Sequence, residues 1–323
     1  MTKTLVTGGA GFMAGHLVKA LLDRGEEVKA VDIKPAAEWH QIHRESDWWS
    51  ACDLRELRWC HAAVKGCDTV YHLAADMGGM GFIEANKAAC ALNVLIDAHM
   101  LLAARDAGVS RYLYASTACV YRADRQDTPH PAPLREREDV YPADPGDGGY
   151  AWAKLYGEHL ARHFREDYGL ETRIARLHSV FGPNGTWDGG REKVPAALCR
   201  KVAVAKRDGS REIEIWGDGQ QGRSFLYVDD AIEAIRLLAA SDCREPLNVG
   251  SDELVAVNEL AAMIEGIAGV ELAHRYVPGP LGVRGRSSDN ALIGEMLGWK
   301  PRIPLRDGVA ATYEWISAQV AAS

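Results

Sequence analysis

The segment Thr7-Gly8-Gly9-Ala10-Gly11-Phe12-Met13-Ala14 constrains the fold of this chain more than any other. It follows a short β-type run, Thr4–Val6, and opens directly into a helical pattern that begins at Gly11. The glycines read as Gly9-x-Gly11-x-x-Ala14 or as Gly8-x-x-Gly11-x-x-Ala14. Either spacing permits a tight turn whose backbone N–H groups approach a pyrophosphate at the positive end of the helix, and the small residue at 14 allows close helix–strand packing. Gly8, Gly11, Phe12 and Met13 are therefore the candidate contacts to a dinucleotide. A second β-type run, Glu27–Val31, leads to Asp32, whose carboxylate can accept hydrogen bonds from the adenosine ribose hydroxyls. That acidic residue favours NAD over NADP, although Lys34 stands close enough to meet a 2′-phosphate, and Asp53 is a candidate adenine contact.

The first half of the chain keeps this alternation. Helical patterns near Leu54–Val64, Ala88–Ala107 and Tyr150–Tyr168 are interleaved with β-type runs at Thr69–Leu73, Arg111–Ala115 and Glu171–Arg176. Strands joined by crossover helices make a parallel sheet. The expected fold class is α/β, a doubly wound parallel sheet of the Rossmann type with a smaller C-terminal α/β lobe for the substrate. Residues 1–177 are assigned to the dinucleotide domain, with 225–240 returning to it, and 178–323 mainly to the lobe. Between His178 and Arg223 the density of Gly, Pro, Trp and Arg predicts loops wrapped around a ligand rather than regular structure. Helices are expected near Val228–Leu238, Val257–Gly266 and Gly308–Ala318, with a loop at Pro278–Arg286.

Lys and Arg number 37 against 45 Asp and Glu, a net charge of −8 that repels nucleic-acid phosphates and anionic lipid. Nucleic acid is not an expected partner, and an anionic ligand must be met locally. The 7 cysteines include no C-x-x-C pair and have no ligand-type histidine cluster beside them, which argues against a metal centre and for a reducing cytoplasm. No stretch reads as approaching the ~20 apolar residues of a membrane span, and no basic segment precedes a long apolar run at the N-terminus. No membrane partner is expected.

Tyr150-Ala151-Trp152-Ala153-Lys154 sets a phenol and an ammonium at i and i+4 on one helix face. There the lysine can lower the phenol's pKa and grip a nicotinamide ribose, and the tyrosine can take the proton of a substrate hydroxyl. Ser116-Thr117-Ala118-Cys119-Val120-Tyr121 ends the fifth strand at the edge of the sheet where open α/β folds bind ligands. Thr117 is placed to hydrogen-bond the same hydroxyl. The glycines of Met77–Phe82 leave space beneath a sugar ring that changes pucker.

The glycine turn, the Ser-Thr segment and Tyr-x-x-x-Lys together resemble the extended short-chain dehydrogenase/reductase superfamily, from Leu5 to the last helix. Three further segments resemble the GDP-mannose 3,5-epimerase family within it: His72-Leu73-Ala74-Ala75-Asp76-Met77-Gly78-Gly79-Met80-Gly81-Phe82, Gly189-Gly190-Arg191-Glu192-Lys193 and Gly282-Val283-Arg284-Gly285-Arg286-Ser287-Ser288-Asp289-Asn290. This resemblance implies that NAD transiently oxidises carbon 4 of a GDP-hexose while a Cys/Lys pair, matched here by Cys119 and Lys193, exchanges protons at carbons 3 and 5. It also implies substrate contacts from Gly79, Met80, Ser179, Lys201, Gln221, Arg223, Arg284 and Arg286, and a homodimer in which Ala88–Ala107 is a candidate interface helix. Forked guanidinium donors suit a diphosphate. Ser179 departs from the family pattern, which has an asparagine there, and Pro145–Tyr150 is slightly longer.

Three other readings stay open at this level. A 4-epimerase of another nucleotide sugar would need no Cys/Lys pair, and a 4,6-dehydratase would want an acid where Ala118 stands. A non-catalytic NAD-binding sensor could dispense with Tyr150 and Lys154.

Overall fold

The computed structural model describes residues 3–146 and 148–323. Six parallel strands come first: β1 (Lys3–Thr7), β2 (Glu27–Val31), β3 (Asp47–Trp49), β4 (Thr69–His72), β5 (Arg111–Thr117) and β6 (Thr172–Leu177). Four short strands of the lobe, β7 (Val180–Phe181), β8 (Glu212–Trp216), β9 (Gly222–Ser224) and β10 (Leu226–Tyr227), precede β11 (Leu247–Val249), which returns to pair with β6. The result is a seven-stranded sheet in the order β11-β6-β5-β4-β1-β2-β3. Its inner strands are buried along nearly their whole length, as a sheet covered on both faces requires. The order reverses between β1 and β4, and the crevice outside the carboxyl ends of those strands is where such sheets bind ligands.

Helices α1 (Phe12–Leu22), α2 (Leu57–Val64), α3 (Met80–Ala85), α4 (Lys87–Ala91), α5 (Asn93–Asp106) and α6 (Gly148–Tyr168) follow the strands they connect. Helix α1 buries Ala14, Leu17, Val18 and Leu21, a three-and-four spacing that turns one apolar stripe to the sheet. On the opposite face, α2, α5 and α6 close a second core around Tyr112, Tyr114, Met100 and Leu101. By length and composition Lys87–Asp106 is apolar enough to cross a membrane, contrary to the expectation from sequence. In the fold it is divided at Leu92 and buries Asn93 and Asp97 between the sheet and α6.

The remainder of the chain contains α7 (Val194–Asp208), α8 (Val228–Ala240), α9 (Val257–Ala268), α10 (Ala291–Leu297) and α11 (Leu305–Ala322). It also holds β12 (Leu254–Ala256), β13 (Ala273–Val277) and β14 (Gly285–Arg286). The expectation of loops from 178 to 223 is corrected here: α7 and β8 both fall inside that stretch. Leu198, Cys199, Val202, Ala203 and Ala205 give α7 a buried stripe against α9 and α11, and its small residues offer little contrast with the loops around it. Helices α8 and α10, with β11, belong to the core of the first domain, where Val228, Ile232, Ile235, Val249 and Ile293 pack with α1.

Candidate active site

The first turn is built on backbone geometry. Gly8 has a φ of +74°, and a Cβ there would come within 3.0 Å of Ala74 Cα. At Gly11 a Cβ would meet the Gly8 carbonyl oxygen at 2.9 Å, while the Gly11 N–H already donates to that oxygen at 2.7 Å. No side chain caps the first turn of α1, so its N–H groups at Phe12 and Met13 present their positive end to the crevice. Asp32 is buried, accepting from the Ala10 N–H at 3.0 Å and the Lys34 N–H at 2.9 Å. Burial pushes its carboxyl above the usual value, with those donors opposing. A glycine cradle, an uncapped helix start and a fixed carboxylate together fit a dinucleotide. Asp53 is engaged otherwise: Arg55 grips its two oxygens from Nε at 2.9 Å and Nη2 at 2.7 Å.

Thr117, Cys119 and Tyr150 meet at the carboxyl end of β5. The Thr117 hydroxyl accepts the Cys119 N–H at 3.3 Å, and Cys119 and Tyr150 pack with Ile83, Cys90, Met77, Met80 and Phe82. Burial drives the Tyr150 phenol well above its ordinary range, with Cys119 adding to the shift and Thr117 opposing it as a hydrogen-bond partner. Lys154 lies one turn further along the same helix. Its ammonium, 2 % exposed, lies 3.7 Å from Asp97 Oδ1 and 4.7 Å from the centre of the Tyr114 ring, so a carboxylate offsets its charge.

Lys193 stands just before α7, across the crevice. Its side chain remains accessible, yet protein surrounds it closely enough for dehydration to lower its pKa, with Cys119 opposing. The backbone around it is clamped onto the glycine loop: the Gly79 N–H donates to Arg191 O at 3.0 Å, and a Cβ at Gly79 would strike Glu192 O at 2.5 Å. Arg191 itself bonds Asp76 Oδ1 at 2.8 Å and lies 3.7 Å over the Phe82 ring. Beside this loop a cavity of about 660 Å³ is lined by Met80, Ile83, Lys87, Gln126, Gly282 and Arg284, room for a small-molecule ligand.

The expected diphosphate contacts divide. Arg286 is buried and touches Cys119, placing it within the centre. Gln221 is buried, donates to Trp216 O at 3.0 Å, and leaves Oε1 without a partner among the described residues. Arg223 donates to Val283 O at 2.6 Å, Lys201 to Glu214 O at 2.7 Å, and Arg284 pairs with Asp218 at the surface. Ser179 is held at a φ of 41°, half-buried beyond β6. Sequence reasoning missed Gln126, which fastens Arg286, and Asp97, which holds Lys154. Asp97 left one signal: it is a polar residue on the buried stripe of α5 with Asn93, Leu101 and Ala104.

Residues 4–250 match the model of the NAD dependent epimerase/dehydratase family. The chain belongs to that family. Within it the chain is similar to GDP-mannose 3,5-epimerase of Arabidopsis thaliana, with 43% identity over 98% of this chain and 83% of the relative. It is equally similar to GDP-mannose 3,5-epimerase 1 of Oryza sativa subsp. japonica, with 43% identity over 98% and 82%. The fold superposes on UDP-glucose 4-epimerase of Thermotoga maritima, with a TM-score of 0.87, 25% identity and coverage of 99% and 100%. MoeE5 in complex with UDP-glucose and NAD gives a TM-score of 0.81 with 30% identity over 99% and 100%.

Proposed function

We propose that this protein is an NAD-dependent epimerase that inverts GDP-mannose at carbons 3 and 5, giving GDP-L-galactose, GDP-L-gulose or both. The observation that carries this reading is that Cys119 and Tyr150 pack in one cluster with Met80 and Phe82, on the glycine loop against which the backbone of Glu192 and Lys193 is clamped. Relatives at 43% identity over 98% of the chain are GDP-mannose 3,5-epimerases, which supports the same substrate. A bound NAD, held by the Gly8–Met13 turn and Asp32, supplies reversible hydride acceptance at carbon 4. Tyr150, acting as the phenolate, takes the proton of the 4-hydroxyl while Thr117 holds its oxygen. The carbonyl at carbon 4 acidifies the hydrogens on both neighbouring carbons, and Cys119 and Lys193 then remove and return protons there. Return of the proton from Tyr150 to the oxygen on carbon 4 closes the cycle.

Incubation with GDP-mannose in deuterated water should place deuterium at carbons 3 and 5, read by mass spectrometry and NMR. Exchange with no GDP-hexose, or inversion at carbon 4 without exchange at carbons 3 and 5, would sink the reading.

The active unit we propose is a homodimer. Support comes from α5 and α6, which pack side by side and leave Leu95 40% exposed, Trp152 49% and Tyr156 55%, with Leu92 50% exposed just before α5. Large apolar side chains on a helix pair suit a self-complementary interface. Sedimentation should give the mass of two chains at micromolar concentration and of one chain for Leu95→Glu. A wild-type mass of one chain rejects the dimer.

A further inference from the structure

We infer that Arg286 holds Cys119 as a thiolate before substrate arrives, in addition to any contact it makes with a diphosphate. Its use in the reaction rests on the role of Cys119 proposed above, but the contact itself does not. Arg286 Nη1 lies 3.3 Å from Cys119 Sγ, and both side chains are buried. A guanidinium cannot give up its proton near neutral pH, so at this distance it favours the anionic sulfur over the neutral thiol.

The contact is built by the chain on all sides. Arg286 Nε donates to Gln126 Oε1, and Gln126, 1% exposed, is itself fixed by bonds from Nε2 to Tyr121 O at 3.2 Å and Arg122 O at 2.8 Å. The Gln126 carbonyl accepts the N–H groups of Arg284 at 2.9 Å and Gly285 at 3.1 Å, which ties the whole of β14 to the same residue. Only glycine fits at 285, where a Cβ would lie 2.1 Å from Thr128 O. That close approach carries the next residue inward to the sulfur. A guanidinium anchored at one end and aimed from the other is preorganised for its partner. Titratable groups that face Cys119 include Tyr150 on α6, Lys193 before α7, Cys90 on α4 and Arg286 on β14.

The other cysteines differ in kind. Burial pushes the thiols of Cys52 to about 11 and of Cys60 and Cys199 to about 12, and it raises Cys67, Cys90 and Cys243 as well. A thiolate present at neutral pH is therefore readable as one residue.

The test is a titration of thiolate absorbance in the ultraviolet on the whole protein without nucleotide sugar, taken as wild type minus Cys119→Ser. The midpoint should lie below the ordinary thiol value of about 8.5. In Arg286→Gln it should rise by about 1–3 pH units, and Arg286→Lys should recover part of the difference. Iodoacetamide labelling at pH 7, mapped by peptide mass, should fall with it at Cys119. A wild-type midpoint at or above 8.5 overturns the inference even if no Arg286 variant folds, and so does an unchanged midpoint in Arg286→Gln. A low midpoint in a protein that exchanges no deuterium into GDP-mannose would uphold the contact while rejecting the proposed activity.

Discussion

Cys119→Ala should lower solvent exchange at carbons 3 and 5 of GDP-mannose by about 10²–10⁴-fold, the range for loss of an acid/base group, while oxidation at carbon 4 persists. The distinction follows from the layout. In the proposed reaction Tyr150 and Thr117 act on the carbon-4 hydroxyl, and neither needs the sulfur to stay in place: Cys119 contributes its backbone N–H to Thr117, which alanine retains. Adding GDP-mannose to the variant should therefore still produce reduced-nicotinamide absorbance from bound cofactor, with little deuterium in the recovered sugar. Lys193→Ala should behave in the same way. Lys193→Arg should not rescue it, because arginine keeps the charge but cannot release a proton near neutral pH, whereas dehydration lowers the pKa of Lys193 towards a useful range. Near-normal exchange in either alanine variant would return that residue to a packing or surface role.

Much of the dinucleotide half was legible because its signals are local. Gly8 to Ala14, the carboxylate at Asp32 and the buried runs of β1, β4, β5 and β6 each specify structure within a few residues of themselves. Tyr150, Thr117 and Cys119 were also readable, since each lies at a strand end or on a helix face that topology carries to the crevice. What escaped was set by contacts distant in sequence. Arg286 and Cys119 are 167 residues apart, and no periodicity ties them. Helix α7 was hidden because Gly, Pro and Trp crowd its flanks and its buried face is built of Ala and Cys as much as of Leu and Val. The i+4 spacing of Tyr150 and Lys154 gave the helix face but not the carboxylate that meets the ammonium, which comes from α5.

That carboxylate carries the second large effect. Asp97 is fully buried and accepts from His72 Nε2 at 3.0 Å and from the Tyr114 hydroxyl at 2.6 Å, with the Lys154 ammonium at 3.7 Å. The network assigns the histidine tautomer: Thr7 Oγ1, which accepts the N–H groups of Leu73 and Ala74, donates its own proton to His72 Nδ1, leaving Nε2–H for Asp97. One buried carboxylate thus joins the strand leading to the glycine turn, β4, β5 and the helix of Tyr150. Asp97→Asn keeps the shape and removes the charge, so Lys154 must stay charged without a partner or give up its proton. Breaking a buried pair in this way costs about 3–5 kcal/mol, measurable by urea unfolding at pH 7. The pH dependence separates charge from shape. Burial raises the Asp97 pKa, but the Lys154 charge and the His72 and Tyr114 hydrogen bonds outweigh it and hold the carboxyl below its usual 3.8. A depressed folded pKa means stability that is complete above the unfolded carboxyl's value near 3.9 and lost as pH falls through the folded one. The gap between wild type and Asp97→Asn should hold steady from about pH 8 to 5 and narrow below about 4. A gap under about 1 kcal/mol at pH 7 would show that Lys154 finds its stabilisation elsewhere, and one that does not narrow in acid would mean that the fold depends on the shape of Asp97 rather than on its charge.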